Sequence, residues 1–161
     1  MPQAIGAQAA FPGQRVVSFS GDGGFSMLVG DLLTLVQHRL PVKVVVFNNG
    51  TLGFVELEMK ASGFLETDVS LTNPDFSAVA RAAGLFARRV EDPGDLATAA
   101  QEFLARPGPA LLDVVTARQE LVMPPKAEWS QAAHFSLWVM KAVLNGRCNE
   151  VIDLARTNLL R

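Results

Sequence analysis

Cysteine, basic charge and long apolar runs are all scarce in this chain, and each shortage removes a class of protein. Cys148 is the sole cysteine, which excludes an internal disulfide framework and leaves no cysteine pair for a zinc site. A reducing cytosol is the expected compartment. Fourteen lysines and arginines face sixteen aspartates and glutamates, a formal charge of −2. The basic excess that neutralises nucleic-acid phosphates is missing, so no nucleic-acid partner is expected. There is no run of about 18 apolar residues, and the opening MPQAIGAQAAF lacks the basic segment and long apolar stretch of a secretory signal. Any membrane contact is expected at the surface only.

Apolar side chains are plentiful, at 49% of 161 residues, which suffices for one buried core but not for two full-sized domains. Met1 to Ala10 reads as a helix broken by Phe11-Pro12-Gly13. The β-branched run from Arg15 to Ser20 reads as a buried strand entering a tight loop at Gly21-Asp22-Gly23-Gly24. From Phe25 to Leu40, apolar residues at Met27, Leu28, Leu32, Leu35 and Val36 have helical spacing, and Pro41 forbids continuation. Val42 to Phe47 is a second buried strand, stopped by Asn48-Asn49-Gly50; strand, helix and strand in this order predict a right-handed parallel crossover. Further on come a short helix over Leu52 to Lys60, a helix from Asn73 or Pro74 to Ala83, a strand over Phe86 to Val90, a helix over Asp95 to Ala105 and a strand over Ala110 to Val115. This alternation predicts an α/β fold, a parallel sheet with helices on both faces, over residues 1–123. Residues 124–161 then carry helices only, Glu128 to Asn145 and Asn149 to Leu160, and read as a helical C-terminal tail.

Parallel sheets bind ligands outside the C-terminal ends of their strands. Two such ends carry Gly21-Asp22-Gly23-Gly24 and Asn48-Asn49. Glycines let backbone N–H groups approach phosphate oxygens, and a helix starting near Phe25-Ser26 adds its N-terminal field. The Asp22 carboxylate and the Asn49 amide oxygen are hard donors suited to Mg²⁺ at roughly 2.0–2.1 Å, with phosphate and water completing the shell. Either segment alone is an ordinary turn or loop sequence. Together, each ending a predicted buried strand and separated by one helix and one strand, they point to a magnesium-bound diphosphate.

The pair resembles the signature of thiamine-diphosphate-dependent enzymes, in which Gly-Asp-Gly is followed after a similar interval by Asn-Asn. The resemblance implies Mg²⁺ on Asp22, Asn49 and the backbone carbonyl of Thr51, with Gly21, Asp22, Gly23, Gly24, Phe25, Asn49, Thr51, Leu52 and Gly53 around the cofactor. The stretches GDGGFSML, LPVKVVVFNNGTLGFVELEMK and EVIDLARTNLLR are similar to the quinone-dependent pyruvate dehydrogenases of the pyruvate oxidase family. That likeness implies oxidative decarboxylation of pyruvate to acetate and CO₂, with electrons passing through FAD to a membrane quinone. It also implies a cytoplasmic protein, peripheral to the inner face of the cell membrane, whose C-terminal segment, residues 149–161, binds lipid. Family members are longer, with a pyrimidine-binding domain, an FAD-binding domain and this diphosphate-binding domain in series. They place further strand and loop segments before the helix corresponding to Met1–Ala10. The glutamate that activates the aminopyrimidine belongs to the pyrimidine domain, so this chain alone is expected to be inactive. No Gly-x-Gly-x-x-Gly stands at a strand-to-helix turn to seat FAD.

Phe54 reads either as a substrate-facing aromatic, as in the relatives, or as a core phenylalanine. Glu56 and Glu58 read as exposed helix carboxylates, His38 as a helix C-terminal residue without catalytic duty, and Cys148 as passive; His134 is unassigned. Val151, Ile152, Leu154, Ala155 and Leu159 fall on one side of a short amphipathic helix. That face docks on its own domain or on lipid, with Trp129, Phe135 and Trp138 on the preceding helix covering a channel or joining the lipid contact. Apolar faces without partner domains make self-association, a homo-oligomer, the expectation. Three competing readings remain: another thiamine-diphosphate enzyme such as an acetolactate synthase or a 2-oxo acid decarboxylase, a non-catalytic remnant, and a plain phosphate-binding module.

Overall fold

The computed structural model describes residues 1–118 and 129–159, in two compact units. Met1–Gly50 and Thr72–Thr116 form the first; Thr51–Leu71 and Ala117–Arg161 form the second. The expected boundary at 123/124 lies outside the described residues. The segment 51–71, expected to belong with the sheet, groups with the C-terminal helices instead.

The first unit is a four-stranded, all-parallel sheet of β1 (Val17–Gly21), β2 (Lys43–Asn48), β3 (Phe86–Val90) and β4 (Ala110–Val115), in the order β1-β2-β4-β3. Alternation along β2 decides the layers, because side chains two apart share a face. Val44 and Val46, with Leu111 of β4, join a core of Phe25, Leu32, Leu35, Phe76, Ala80 and Leu85. Val45 turns the other way, with Val90, Ala110 and Leu112, onto Ala99 and Phe103. Apart from Leu85, which directly precedes β3, the residues packed on the sheet come from α2 (Asp22–Ser26), α3 (Asp31–Gln37) and α5 (Phe76–Ala82) on the first face and α6 (Leu96–Ala105) on the second; α1 (Pro2–Ala10) adds Ala4 and Ile5 to the first core. A parallel sheet with helices on both faces is therefore what the sequence forms. Among the described residues, no helix is long and apolar enough to cross a membrane.

Two details depart from expectation. The single helix expected over Phe25 to Leu40 is broken: α2 ends at Ser26, residues 27–30 make i to i+3 turns, and α3 begins at Asp31. Gly23, Gly24 and Gly30 weaken helix by roughly 1 kcal/mol each relative to alanine. The break lets Phe25, Leu32 and Leu35 all reach the core while Met27 and Leu33 stay exposed. Secondly, β1 is only half-buried. Phe19 is 66% exposed and stacks on Phe47 with ring centroids 6.0 Å apart.

In the second unit, α4 (Gly53–Ala61) packs on α7 (Trp129–Leu144), and α8 (Cys148–Leu159) packs back on α7. Trp138, Ala142 and Leu154 are buried there, flanked by Leu65, Phe135, Val139 and Val151. The apolar side expected on α8 is thus divided: Leu154 and Val151 dock on α7, whereas Ile152 is exposed. The side chains of Trp129 and Leu159 lie outside the described residues. Glu58 and His134 are exposed, as is Cys148.

Glu56 corrects its expectation as an exposed carboxylate. It is buried, with Oε1 2.6 Å from Lys60 Nζ, itself buried, and Oε2 2.7 Å from the Thr51 hydroxyl. Lys60 also lies 4.9 Å from the Trp138 ring centroid and 3.8 Å from Glu66, which in turn accepts from Trp138 Nε1 and Arg147 Nη2. Sequence reasoning missed this because a helix carboxylate is usually solvated; the (i, i+4) pairing of Glu56 with Lys60 was the available signal.

Glu66 and Glu150 have opposite acidities. Burial pushes Glu66 up, but hydrogen bonds from Glu150, its own backbone and Trp138, with the Lys60 charge, hold it below the ordinary carboxylate range. Burial and the neighbouring Glu66 push Glu150 up, against Arg147. Because its folded value is raised, Glu150 contributes stability that is complete below the ordinary glutamate value of 4.5 and is lost as pH rises through the raised value. Glu66 contributes above the ordinary value and loses that contribution as pH falls through its depressed one. Glu150→Gln, which keeps a proton donor at every pH, is expected to raise the melting temperature at pH 7 to 8. The advantage should close as pH falls to the ordinary glutamate value. Thermal melts of both proteins across that range check this; a lower melting temperature for the variant at pH 8 would refute it.

Candidate functional site: the Asp22 carboxylate at the strand ends

Parallel pairing brings the ends of β1 and β2 to one edge, with Gly21 in register with Phe47. The chain turns from β1 straight into α2: Gly21 is both the last strand residue and the helix N-cap, and Asp22 is the first helical residue. The helix was expected nearer Phe25. The glycine segment is therefore its first turn rather than a loop before it, and a five-residue helix supplies little field beyond its own N–H groups. Phe25 was expected beside the cofactor, but its ring is buried edge-on against Phe76, with centroids 5.2 Å apart, and serves as an anchor for α2.

Asp22 is 2% exposed. Its Oδ1 accepts from Gly23 N–H at 2.9 Å, and its Oδ2 from Gly50 N–H and Asn73 Nδ2, both at 2.7 Å. Gly50 reaches it from the turn after β2 with φ of 69°, a conformation that glycine adopts without strain. None of the ion pairs among the described residues includes Asp22. A buried carboxylate balanced only by amide dipoles is a seat for a cation. Beside it, a Cβ placed on Gly21 or Gly24 would meet nothing within 4 Å, and neither glycine has a positive φ. Open space at both leaves their backbone accessible to a bulky anion. Asn49, half-buried, follows the last residue of β2 and precedes Gly50.

Behind Asp22 runs a set of polar groups. Asn73 Nδ2 also donates to Asn48 Oδ1 at 2.9 Å, Asn48 Nδ2 donates to Asp113 Oδ1 at 3.1 Å, and Arg89 Nη1 donates to Asp113 Oδ2 at 2.7 Å. Asp113 lies mid-strand in β4, opposite Val46 and Arg89, and is fully buried. Hydrogen bonding to Glu91 first, then to Asp113, holds the Arg89 guanidinium charged.

Thr51, Leu52, Gly53 and Phe54 belong to the second unit. The Thr51 hydroxyl is buried, 2.7 Å from Glu56 Oε2 and 3.1 Å from Val69 O; its one proton serves a single partner at a time. Leu52 donates its N–H to Val69 O and caps α4. Phe54, in the first turn of α4, is 72% exposed, which removes the core reading.

The family model described as thiamine pyrophosphate enzyme, C-terminal TPP binding domain, matches residues 1–114. The chain belongs to this family. Among relatives, YdaP of Bacillus subtilis, named as a thiamine pyrophosphate-containing protein, is 33% identical over 98% of this chain and 27% of its own length. The mitochondrial acetolactate synthase of Schizosaccharomyces pombe is 40% identical over 77% of this chain and 19% of its own length. A chloroplastic acetolactate synthase of Arabidopsis thaliana is 40% identical over 77% of this chain and 20% of its own length. The chain thus spans about a fifth to a quarter of these relatives.

As a thiamine-pyrophosphate-binding domain, the chain has residues that fit the cofactor: a buried anionic oxygen for a cation and open glycines for the diphosphate. Sequence reasoning missed Asn73 and Asp113. For Asp113 a signal existed, an acid inside the apolar run ALLDVV, which a strand buried on both faces tolerates only when it is paired. Nothing local marked Asn73, whose partners lie 25 and 51 residues away.

Proposed function

We propose that the domain holds thiamine diphosphate through Mg²⁺ as part of an enzyme that oxidatively decarboxylates pyruvate to acetate and CO₂. Asp22 and Asn49 would hold the metal, with the carbonyl of Thr51 added by the family resemblance, and Gly21, Gly23 and Gly24 would face the diphosphate. The observation carrying the reading is the buried Asp22 carboxylate without an ionic partner among the described residues, next to glycines open to a ligand. Thiamine diphosphate supplies the carbanion chemistry when bound. This chain's residues bind and orient it, and Phe54, exposed at the start of α4, is assigned to the substrate side.

The pyruvate oxidase branch rests on the resemblance carried by GDGGFSML, LPVKVVVFNNGTLGFVELEMK and EVIDLARTNLLR; the relative that aligns over 98% of the chain is named for thiamine pyrophosphate alone and leaves the branch open. The acetolactate synthase reading draws on higher identity over a shorter share. Stoichiometry separates them. Oxidative decarboxylation consumes one pyruvate and one water per CO₂ and passes two electrons to FAD and on to quinone. Acetolactate formation consumes two pyruvates per CO₂ and reduces nothing. The chain alone, given pyruvate, thiamine diphosphate, Mg²⁺, FAD and a redox dye, is expected to reduce no dye, since pyrimidine activation and flavin binding reside in other domains of the family. Pyruvate-dependent dye reduction by the chain would contradict that division. The same reading places the protein as an oligomer at the cytoplasmic face of the cell membrane, with residues 149–161 on the lipid. Flotation on liposomes is expected to fall when 149–161 are removed, and equal flotation would sink the membrane part.

A further inference from the structure

We infer that Asn73 is a positioning residue for Asp22, held in register by Asn48 and Asp113 from inside the sheet. The inference rests on the reading of Asp22 as the cation-holding carboxylate. Asn73 sits in the segment before α5, whose N-cap is Asp75, accepting from Ala78 N–H. The Asn73 amide is therefore not needed as the helix cap and turns toward the strand ends.

Its two amide protons are both committed, one to Asp22 Oδ2 and one to Asn48 Oδ1. Reversing the amide would set an oxygen against two acceptors, so only one orientation is satisfied. Asn48 is fixed by the same logic, because its Nδ2 faces Asp113 Oδ1 and its Oδ1 must face Asn73. Asp113 is an acceptor whose other oxygen is held by Arg89. The groups that face one another in Asn73, Asn48 and Asp113 are paired in this arrangement alone, and such a partly buried network holds its members in one orientation.

The consequence falls on Asp22. Its Oδ2 receives two donors and its Oδ1 one, so the lone pair left for a metal is on Oδ1. Without Asn73, the carboxylate keeps only the Gly23 and Gly50 donors, one on each oxygen, and both oxygens have capacity to spare. Asn73 thus selects which oxygen meets the cation.

The test uses the whole 161-residue chain as wild type, Asn73→Ala and Asp113→Asn, each checked for fold by circular dichroism. Thiamine diphosphate binding is followed by calorimetry while Mg²⁺ is varied. In Asn73→Ala, half-saturating Mg²⁺ is expected to rise roughly ten-fold, the scale of one charge-assisted hydrogen bond, with binding restored by excess Mg²⁺. Asp113→Asn should shift it in the same direction. A purely structural loss would not be recovered by metal. An unchanged Mg²⁺ requirement in folded Asn73→Ala would overturn the inference. Should wild type bind no thiamine diphosphate, the cofactor reading itself fails, and a double-mutant cycle of Asn73→Ala with Asp22→Ala in urea denaturation decides the positioning. Non-additive losses support it and additive losses overturn it.

Discussion

Asp22→Ala is expected to abolish magnesium-dependent binding of thiamine diphosphate while the sheet stays folded. Mg²⁺ demands hard oxygen donors in near-octahedral geometry and sheds water reluctantly, so a site with few protein ligands loses most of its hold when the sole carboxylate goes. Removal of an outer partner of a metal ligand costs about 10–100-fold in affinity, and removal of the ligand itself should exceed that. Stability should fall by about 1–3 kcal/mol, because the Gly23, Gly50 and Asn73 donors lose their acceptor even as a buried charge is removed. Calorimetry with circular dichroism separates the two effects. Retained magnesium-dependent binding by the variant would remove Asp22 from the site.

Lys60→Met should instead destabilise the second unit strongly with no direct effect on the Asp22 network. The ammonium is 2% exposed, contacts Glu56 at 2.6 Å and approaches Glu66 at 3.8 Å, and lies over Trp138. Without Lys60, Glu66 keeps Arg147, but the buried Glu56 keeps only the Thr51 hydroxyl and Arg118 at 3.6 Å, and breaking a buried pair costs about 3–5 kcal/mol. The loss would appear in urea denaturation as a lower midpoint, and Glu56→Gln in the same chain should recover part of it by removing the stranded anion. A loss below about 1 kcal/mol would mean that water reaches the cluster and that the pair behaves as a surface salt bridge.

Much of the fold was legible because short strand-forming runs are set off by glycine, proline or asparagine near one end. β3 and β4 occupy the residues their composition predicts, and the pairing of Asp22 with the segment after β2 follows from parallel topology alone. The illegible parts involve choices made by packing. Apolar spacing from Met27 to Val36 suits one helix, yet three glycines permit the break that turns Met27 outward. Glu56 looks solvated until Lys60 and Trp138 enclose it. At the site, Asp22, the glycines and Asn48-Asn49 announced themselves through spacing, and Asp113 left a signal as an acid within ALLDVV, whereas the contacts of Asn73, 25 and 51 residues away, are encoded by no local pattern. The tail was half legible: its amphipathic face exists, but part of it is spent on α7.

The most direct measurement of the central claim is calorimetric titration of thiamine diphosphate into the folded wild-type chain, once with Mg²⁺ and once with EDTA. Saturable binding with the metal and none with the chelator is the predicted result. Binding that ignores the chelator, or no binding by a chain whose circular dichroism shows it folded, would contradict the account of Asp22 as the carboxylate that ties metal and diphosphate to this domain.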